Sequence, residues 1–304
     1  MDDEVLTARL RESLRRELGT PDRREAMSIL LDVHALHLAP IEELGGAEGW
    51  QHDPRVAAVK QRLETTLRAQ LDADPAPPLD DDPADAMRRL AHDEMVPPIY
   101  DWLAEDANLD QLVEFISLEG GPDADFDDLV AICQVGLRGL PKLTLGANYW
   151  DEMGRGDLSA VHTELHHGMA RALGVRAMTA DELPIEALER KALNGYLATT
   201  RALQPEMVGS LGMIECQAGP RCRRVVAAMR RLDVPDAAMP FYAEHAVADP
   251  HHGKDWLDAA VTPLVTEHPD WGPRILTGAW WRASVNRRFF DAMERRFGLE
   301  QRVA

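Results

Sequence analysis

The chain has 304 residues, 45% of them hydrophobic and 28% charged, with a formal net charge of −19. That is apolar material for one large core or two smaller ones, and the negative charge excludes nucleic acid and anionic membrane surfaces as expected partners. Three cysteines, Cys133, Cys216 and Cys222, with no CxxC pair, exclude a disulfide framework and a zinc–thiolate site. The start, Met1-Asp2-Asp3-Glu4-Val5, lacks the basic and apolar regions of a secretory leader, and no apolar run approaches the roughly 18 residues of a membrane span. The expectation is a soluble cytoplasmic protein in a reducing compartment.

Helical periodicity runs through nearly the whole chain, and alternating runs rich in Val, Ile and Thr are missing, so the fold class expected is all-α. Residues 1–75 read as about three charged amphipathic helices. The stretch Ala73-Asp74-Pro75-Ala76-Pro77-Pro78-Leu79-Asp80-Asp81-Asp82-Pro83 cannot build a helix and reads as an acidic, proline-rich linker. Two regions follow: an N-terminal helical segment with its linker over 1–83, and a larger domain over 84–304. Within the second, Gly120-Gly121-Pro122, Gly139 to Pro141, Gly154 to Gly156, Gly174, Pro184, Pro235 and Pro240 mark breaks between helices.

Four stretches carry chemistry. In Leu112-Val113-Glu114-Phe115-Ile116-Ser117-Leu118-Glu119, Glu119 falls in the middle of the face made by Leu112, Phe115 and Ile116. A carboxylate there is costly unless it is paired or binds a metal. The alternative is that the helix ends at Gly120 and leaves Glu119 in solvent. In Asn148-Tyr149-Trp150-Asp151-Glu152, the glycine break and then His162, Leu158, Val161, Leu165, Met169 and Leu173 form a stripe that ends at Gly174, and His162 lies on it. His166, one turn later, is a reserve candidate, and a kink is needed to bring Glu152 and His162 together.

In the third stretch, Glu215 shares a face with Leu211, Gly212, Ala218, Gly219 and Cys222. These small side chains leave volume beside the carboxylate for a substrate or O2; the alternative is close helix packing, with Glu215 bonded to an arginine. The strongest signal is His245-Ala246-Val247-Ala248-Asp249-Pro250-His251-His252. At roughly 100° per residue, His245, Asp249 and His252 lie within about 60° of one another. Phe241 and Trp256 share that inward stripe, and His251 lies off it. Imidazole plus carboxylate suits iron and leaves positions open for O2. Pro250, between two of these residues, removes an N–H and should kink the helix. Four stretches that each place acids or histidines on an apolar face together favour one metal site.

This ordered set resembles the haem-oxygenase-like diiron oxidases and oxygenases, also described as iron-containing redox enzymes, over about residues 110–260. The resemblance implies a haem-oxygenase-like seven-helix bundle without haem, preceded here by extra N-terminal helices. It implies metal ligands at Glu119, Glu152, His162, Glu215, His245, Asp249 and His252, and a cofactor of two irons with O2 as co-substrate. Gly120-Gly121-Pro122 directly after Glu119 departs from the family pattern and leaves Asp123 or Asp127 as alternatives for the first carboxylate. Chemistries of that family are N-oxygenation of amines, oxidative C–C cleavage of amino acids and desaturating decarboxylation of fatty acids, so the implied activity is oxidation of a small molecule in a biosynthetic pathway by N-oxygenation or oxidative C–C or C–H chemistry, with an amine or amino-acid-like substrate expected over a fatty acid. An external electron donor and a homodimer are further partners to consider.

Three other readings compete. A ferritin-like diiron protein needs Glu-x-x-His on two helices, and the sequence offers that spacing once, from Glu164 to His167. A metal-free haem-oxygenase-like enzyme would leave the buried ionisable groups without partners. A helical interaction protein would use the N-terminal segment for docking. Arg221, Arg223, Arg224, Arg282 and Arg287 are expected mainly as surface partners for the many acids, although one reaching the pocket would suit a carboxylate-bearing substrate. Lys142 reads as structural.

Overall fold

The computed structural model describes residues 8, 10–12, 15, 21–74, 82–119 and 126–299. Asp123, the Gly120-Gly121-Pro122 break and most of the linker lie outside the described residues. Among those described there is no strand. The helices are α1 (Arg23–Leu38), α2 (Pro54–Leu71), α3 (Pro83–Asp93), α4 (Pro98–Glu105), α5 (Leu109–Glu119), α6 (Phe126–Cys133), α7 (Gly139–Glu152), α8 (His162–Leu173), α9 (Ile185–Thr199), α10 (Gln204–Arg231), α11 (Pro240–Asp255), α12 (Thr262–Glu267) and α13 (Trp271–Arg296). Short 3-10 turns, and the four-residue helix Ile41–Leu44, link several of them. Local chemistry sets their starts: Asp22, Asp53 and Asp82 accept from the first free N–H groups of α1, α2 and α3. Pro54, Pro83, Pro98 and Pro240 occupy first-turn positions that need no N–H donor. No helix among the described residues is long and apolar enough to cross a membrane.

The helices fall into two compact units, Met1–Pro75 with Ala180–Leu203, and Ala76–Thr179 with Gln204–Ala304. The linear division at residue 83 put everything after it into one domain. The structure instead places α9 in the first unit, where Ala187, Leu188, Ala192 and Leu193 are buried as it packs on α1. Periodicity reports that a helix has an apolar face, and says nothing of which partner covers it. At Gly195 a Cβ would overlap the His34 ring, so this glycine lets α9 approach α1. His34 is buried and sits 2.9 Å from Glu64 Oε1 of α2.

In the second unit the 28-residue helix α10, about 42 Å long, packs chiefly against α11 and α13. Against α13 it meets backbone to backbone: a Cβ on Gly209 would strike the Ile275 carbonyl, and one on Gly278 the Glu206 backbone. Against α11, the space beside Gly219 is taken by the Pro250 ring, and Gly253 sits on the backbone of Glu215 and Cys216. The expected kink does not appear as a break at Pro250; α11 runs on to Asp255. The irregularity follows directly after Asp255, as the π-helical turn Trp256–Val261. That turn seats Trp256 against Gly212, with its indole N–H donating to the Val208 carbonyl at 3.0 Å.

Candidate metal centre

Four helices of the second unit converge on one buried spot. The last turn of α7 presents Asn148, Asp151 and Glu152. The chain then reverses through two 3-10 turns, Gly154–Gly156 and Leu158–Ala160, and α8 opens on His162. The glycine break is what brings Glu152 and His162 together: a Cβ on Gly154 would overlap the Ala160–Val161 backbone. Because α8 starts only at His162, Leu158 is not part of its stripe and lies 75% exposed. The stripe expected from Leu158 to Leu173 therefore shrinks, with Met169 its one fully buried apolar member; Gly174 does cap the helix in the left-handed conformation at φ 69°.

The ligand atoms form two groups. Glu152, His162 and His245 make one, and Glu152, Glu215 and His252 the other, with all atoms of a group within 4.8 Å of one another. Glu152 belongs to both. Asp249 adjoins the second, its Oδ1 3.8 Å from His252 Nδ1. His162 Nδ1 lies 2.6 Å from Glu152 Oε2, yet this nitrogen has no hydrogen-bond partner. The two atoms are close without the alignment of a hydrogen bond, as donors facing a common third point would be. His252 Nδ1 and Asp249 Oδ2 are also buried without a partner. His162 Nδ1 faces the first group and His252 Nδ1 the second, so a metal would give each of these buried nitrogens the partner it lacks, and the residues present fit one.

One ring nitrogen each of His245 and His252 is committed elsewhere. His245 Nδ1 donates to the Phe241 carbonyl at 2.7 Å, which leaves Nε2 for a ligand. His252 Nε2 lies 3.0 Å from Asp151 Oδ2, which leaves Nδ1. Asn148 Nδ2 donates to Glu215 Oε1 at 2.6 Å. Burial raises the Glu215 carboxyl above its ordinary value, and nearby Glu152 adds to this. Burial, then Glu215 and Glu152, pushes Asp249 well up. Burial lowers His245 to about 4. Burial alone would lower His252 too, but the carboxylates of Glu215, Asp151 and Asp249 outweigh it and hold the imidazole at about 10. The metal-free site is thus crowded with negative charge, which a cation would neutralise.

Five of the seven expected ligands form the two groups, and Asp249 adjoins them. Glu119 is placed differently. It ends α5 at 9% exposure, so it is not in solvent, but it accepts from the Tyr100 hydroxyl at 2.6 Å and belongs to neither ligand group. Asp127, the alternative, is in the wall of the adjoining cavity of about 60 Å³, with Phe126, Ile214, Ala218, Cys222 and Phe241. His251 is exposed, as its helical phase requires. His166 is in neither group and sits beside Phe241, ring centroids 5.2 Å apart.

Of the small residues around Glu215, only part leave open volume. Ala218 and Cys222 line the cavity, while Gly212 and Gly219 are filled by Trp256 and Pro250. No arginine lines the cavity among the described residues. Arg221 donates to the Glu94 and Met95 carbonyls, Arg223 to Ala246, Arg224 to Asp101, Arg282 to Ser210 and Arg287 to Glu94. Lys142 donates to the Gln134 carbonyl. Sequence reasoning missed Asn148 and Asp151, although Asn148 stands one helical turn before Glu152 and so had to share its face.

No curated protein matches the chain significantly. A family described as iron-containing redox enzymes matches residues 114–287, more than half of the chain and every residue of the centre. Helical architecture, a carboxylate–histidine centre and this match agree, and the chain belongs to the family of iron-containing redox enzymes as an iron-dependent oxidoreductase.

Proposed function

We propose that this chain is a non-haem diiron enzyme that uses O2 to oxidise a small molecule. One observation carries the proposal: two ligand groups share a single carboxylate, Glu152, which is the arrangement expected of a bridge between two adjacent ions. Two ferrous ions held side by side would supply O2 with two electrons at one place. Glu152, His162 and His245 would hold one ion, and Glu152, Glu215 and His252 the other, with Asp249 beside the second.

The protein's own contribution is orientation and exclusion of water. The Phe241 carbonyl fixes the His245 ring, and the Asn148 amide holds one Glu215 oxygen. Phe126, Ile214, Ala218, Cys222 and Phe241 make an apolar wall that keeps bulk water from the reacting atoms. The cavity of about 60 Å³ suits O2 and the reacting end of a substrate rather than a whole large molecule. Asp127 is the one acid of its wall outside the ligand set proposed here, and the wall's described residues include no cation. Both features favour a substrate bearing an amine over one recognised only through a carboxylate.

Anaerobic loading with Fe(II), followed by elemental analysis and Mössbauer spectroscopy before and after O2, tests this. About two irons per chain are expected, both oxidised by O2. His252→Ala should weaken loading while the helical fold survives, and His251→Ala should not. A folded chain that takes up no iron, or the reverse order of the two variants, sinks the assignment.

A further inference from the structure

The turn between α7 and α8 holds an exposed arginine in an uncommon backbone conformation. Arg155 has φ 53° and ψ 30°, a left-handed geometry that non-glycine residues seldom adopt. Gly154 and Gly156 on either side also have positive φ. The turn is pinned from beyond by Asp157, whose Oδ1 accepts from both the backbone N–H and the hydroxyl of Ser159, at 2.9 and 2.7 Å. So held, Arg155 folds back by one helical turn and grips Asp151, with Nε to Oδ1 at 2.6 Å and Nη2 to Oδ2 at 3.1 Å. Asp151 Oδ2 in turn lies 3.0 Å from His252 Nε2. The other ring nitrogen, Nδ1, faces Glu215 Oε2 at 3.5 Å and Asp249 Oδ1 at 3.8 Å.

We infer that Asp151 is a positioning residue for the candidate metal ligand His252, clamped by Arg155, and that it makes His252 bind through Nδ1 whereas His245 binds through Nε2. Asp151 sits outside the centre and does not touch the cavity. It accepts the Nε2 proton, so the lone pair of a metal-binding His252 must be on Nδ1, and the ring plane is fixed toward Glu215 and Asp249. The bidentate Arg155 grip fixes the plane of the carboxylate itself. His245 has the opposite arrangement, because the Phe241 carbonyl takes its Nδ1 proton. His245 and His252 thus turn opposite ring nitrogens toward their groups, and Asp151 is the carboxylate behind His252.

This inference rests on the two-metal reading, and its test separates the two. The full-length wild type, Asp151→Ala, Asp151→Asn and Arg155→Ala are titrated anaerobically with Fe(II) against a chelator. In Asp151→Ala one iron should bind as in the wild type and the other about 10–100-fold more weakly. Asp151→Asn, whose Oδ1 can still accept the Nε2 proton, should recover part of that loss, and Arg155→Ala should lose less than Asp151→Ala. In histidine-labelled protein loaded with Zn(II), long-range 1H–15N NMR should show His252 bound through Nδ1 with its proton on Nε2. The inference is overturned if Asp151→Ala binds both irons as the wild type does, if it weakens both alike, if Asp151→Asn is no better than Asp151→Ala, or if Zn(II) is on Nε2 of His252. A wild type that binds neither metal overturns the two-metal reading and this inference with it, whereas two tightly held metals in both wild type and Asp151→Ala overturn this inference alone.

Discussion

Glu152→Gln should separate the stability of the fold from the occupancy of its centre. Glu152 and Glu215 belong to one group whose ligand atoms lie within 4.8 Å of each other. Two ionised carboxylates at that distance repel by about 3.5 kcal/mol at an effective dielectric constant of 20. Part of this is already relieved, because burial and the neighbouring acids raise Glu215 and Asp249 and so favour proton uptake there. His252 is in the same group, and its imidazole, held at about 10, attracts Glu152 about as strongly, so neutralising Glu152 in metal-free protein at pH 7 should leave stability within about 1 kcal/mol, or roughly 2–4 °C in melting temperature. Glutamine has the same shape, and its amide can donate to the adjacent carboxylates. The same change removes an anionic donor from both groups, so both irons should bind more than about 100-fold more weakly, beyond the usual cost of losing only an outer partner. Thermal melts of chelator-treated protein, run beside an anaerobic Fe(II) titration, read both effects. A metal-free variant more than about 2 kcal/mol away from the wild type would refute the charge argument, and one that still holds two irons would refute the shared role of Glu152.

Two further expectations concern the scaffold. Gly278→Ala places a Cβ on the Glu206 backbone, which cannot rotate away, so α10 and α13 must part; a loss of about 3 kcal/mol is expected in chemical denaturation, and a loss under about 1 kcal/mol would show that the two helices are not locked backbone to backbone. In the first unit, burial holds His34 below its ordinary value against the opposing pull of Glu64. The unfolded chain therefore takes up the proton first, so this contribution is complete above about pH 6.5 and is lost as the pH falls below it. Denaturation at pH 7.5 and 5.5 should show a smaller acid loss in His34→Gln than in the wild type; equal losses would remove His34 as a cause.

What could be read from the sequence was whatever depends on one helix at a time. The phase of His245, Asp249 and His252 is a property of α11 alone, and the exposure of His251 follows from the same phase. Glu119 shows where that reasoning stops. Its burial was legible from Leu112, Phe115 and Ile116, but its partner, the Tyr100 hydroxyl, comes from α4, which no periodicity links to it. Gly212 and Gly219 show a second limit. A small residue on an apolar face can leave a void or admit a neighbour, and the sequence of α10 looks the same in both cases. The deciding residues, Trp256 and Pro250, are in and just after α11. Leu158 shows a third: its stripe assumed that the helix began before His162, whereas the glycine break delays the start.

The same pairs explain why the centre can hold its shape on helices rather than loops. Glu215 comes from α10 and His252 from α11, so their separation is set by how closely those helices approach. That approach is fixed at three successive levels: Gly219 under the Pro250 ring, Gly253 on the backbone of Glu215 and Cys216, and Gly212 under Trp256. Each replaces a side chain by direct contact, which leaves little freedom for one helix to slide on the other. Pro250 removes one backbone donor, and the π turn after it adds a residue to one turn. That extra residue shifts the phase of everything beyond Asp255 and directs the Trp256 indole N–H at the Val208 carbonyl. The irregular backbone thus lies on the packing side of α11, while His245, Asp249 and His252 keep regular helical spacing on the side that faces the candidate centre. Local strain is placed where it secures the helix pair, and the residues that carry the chemistry are spared it.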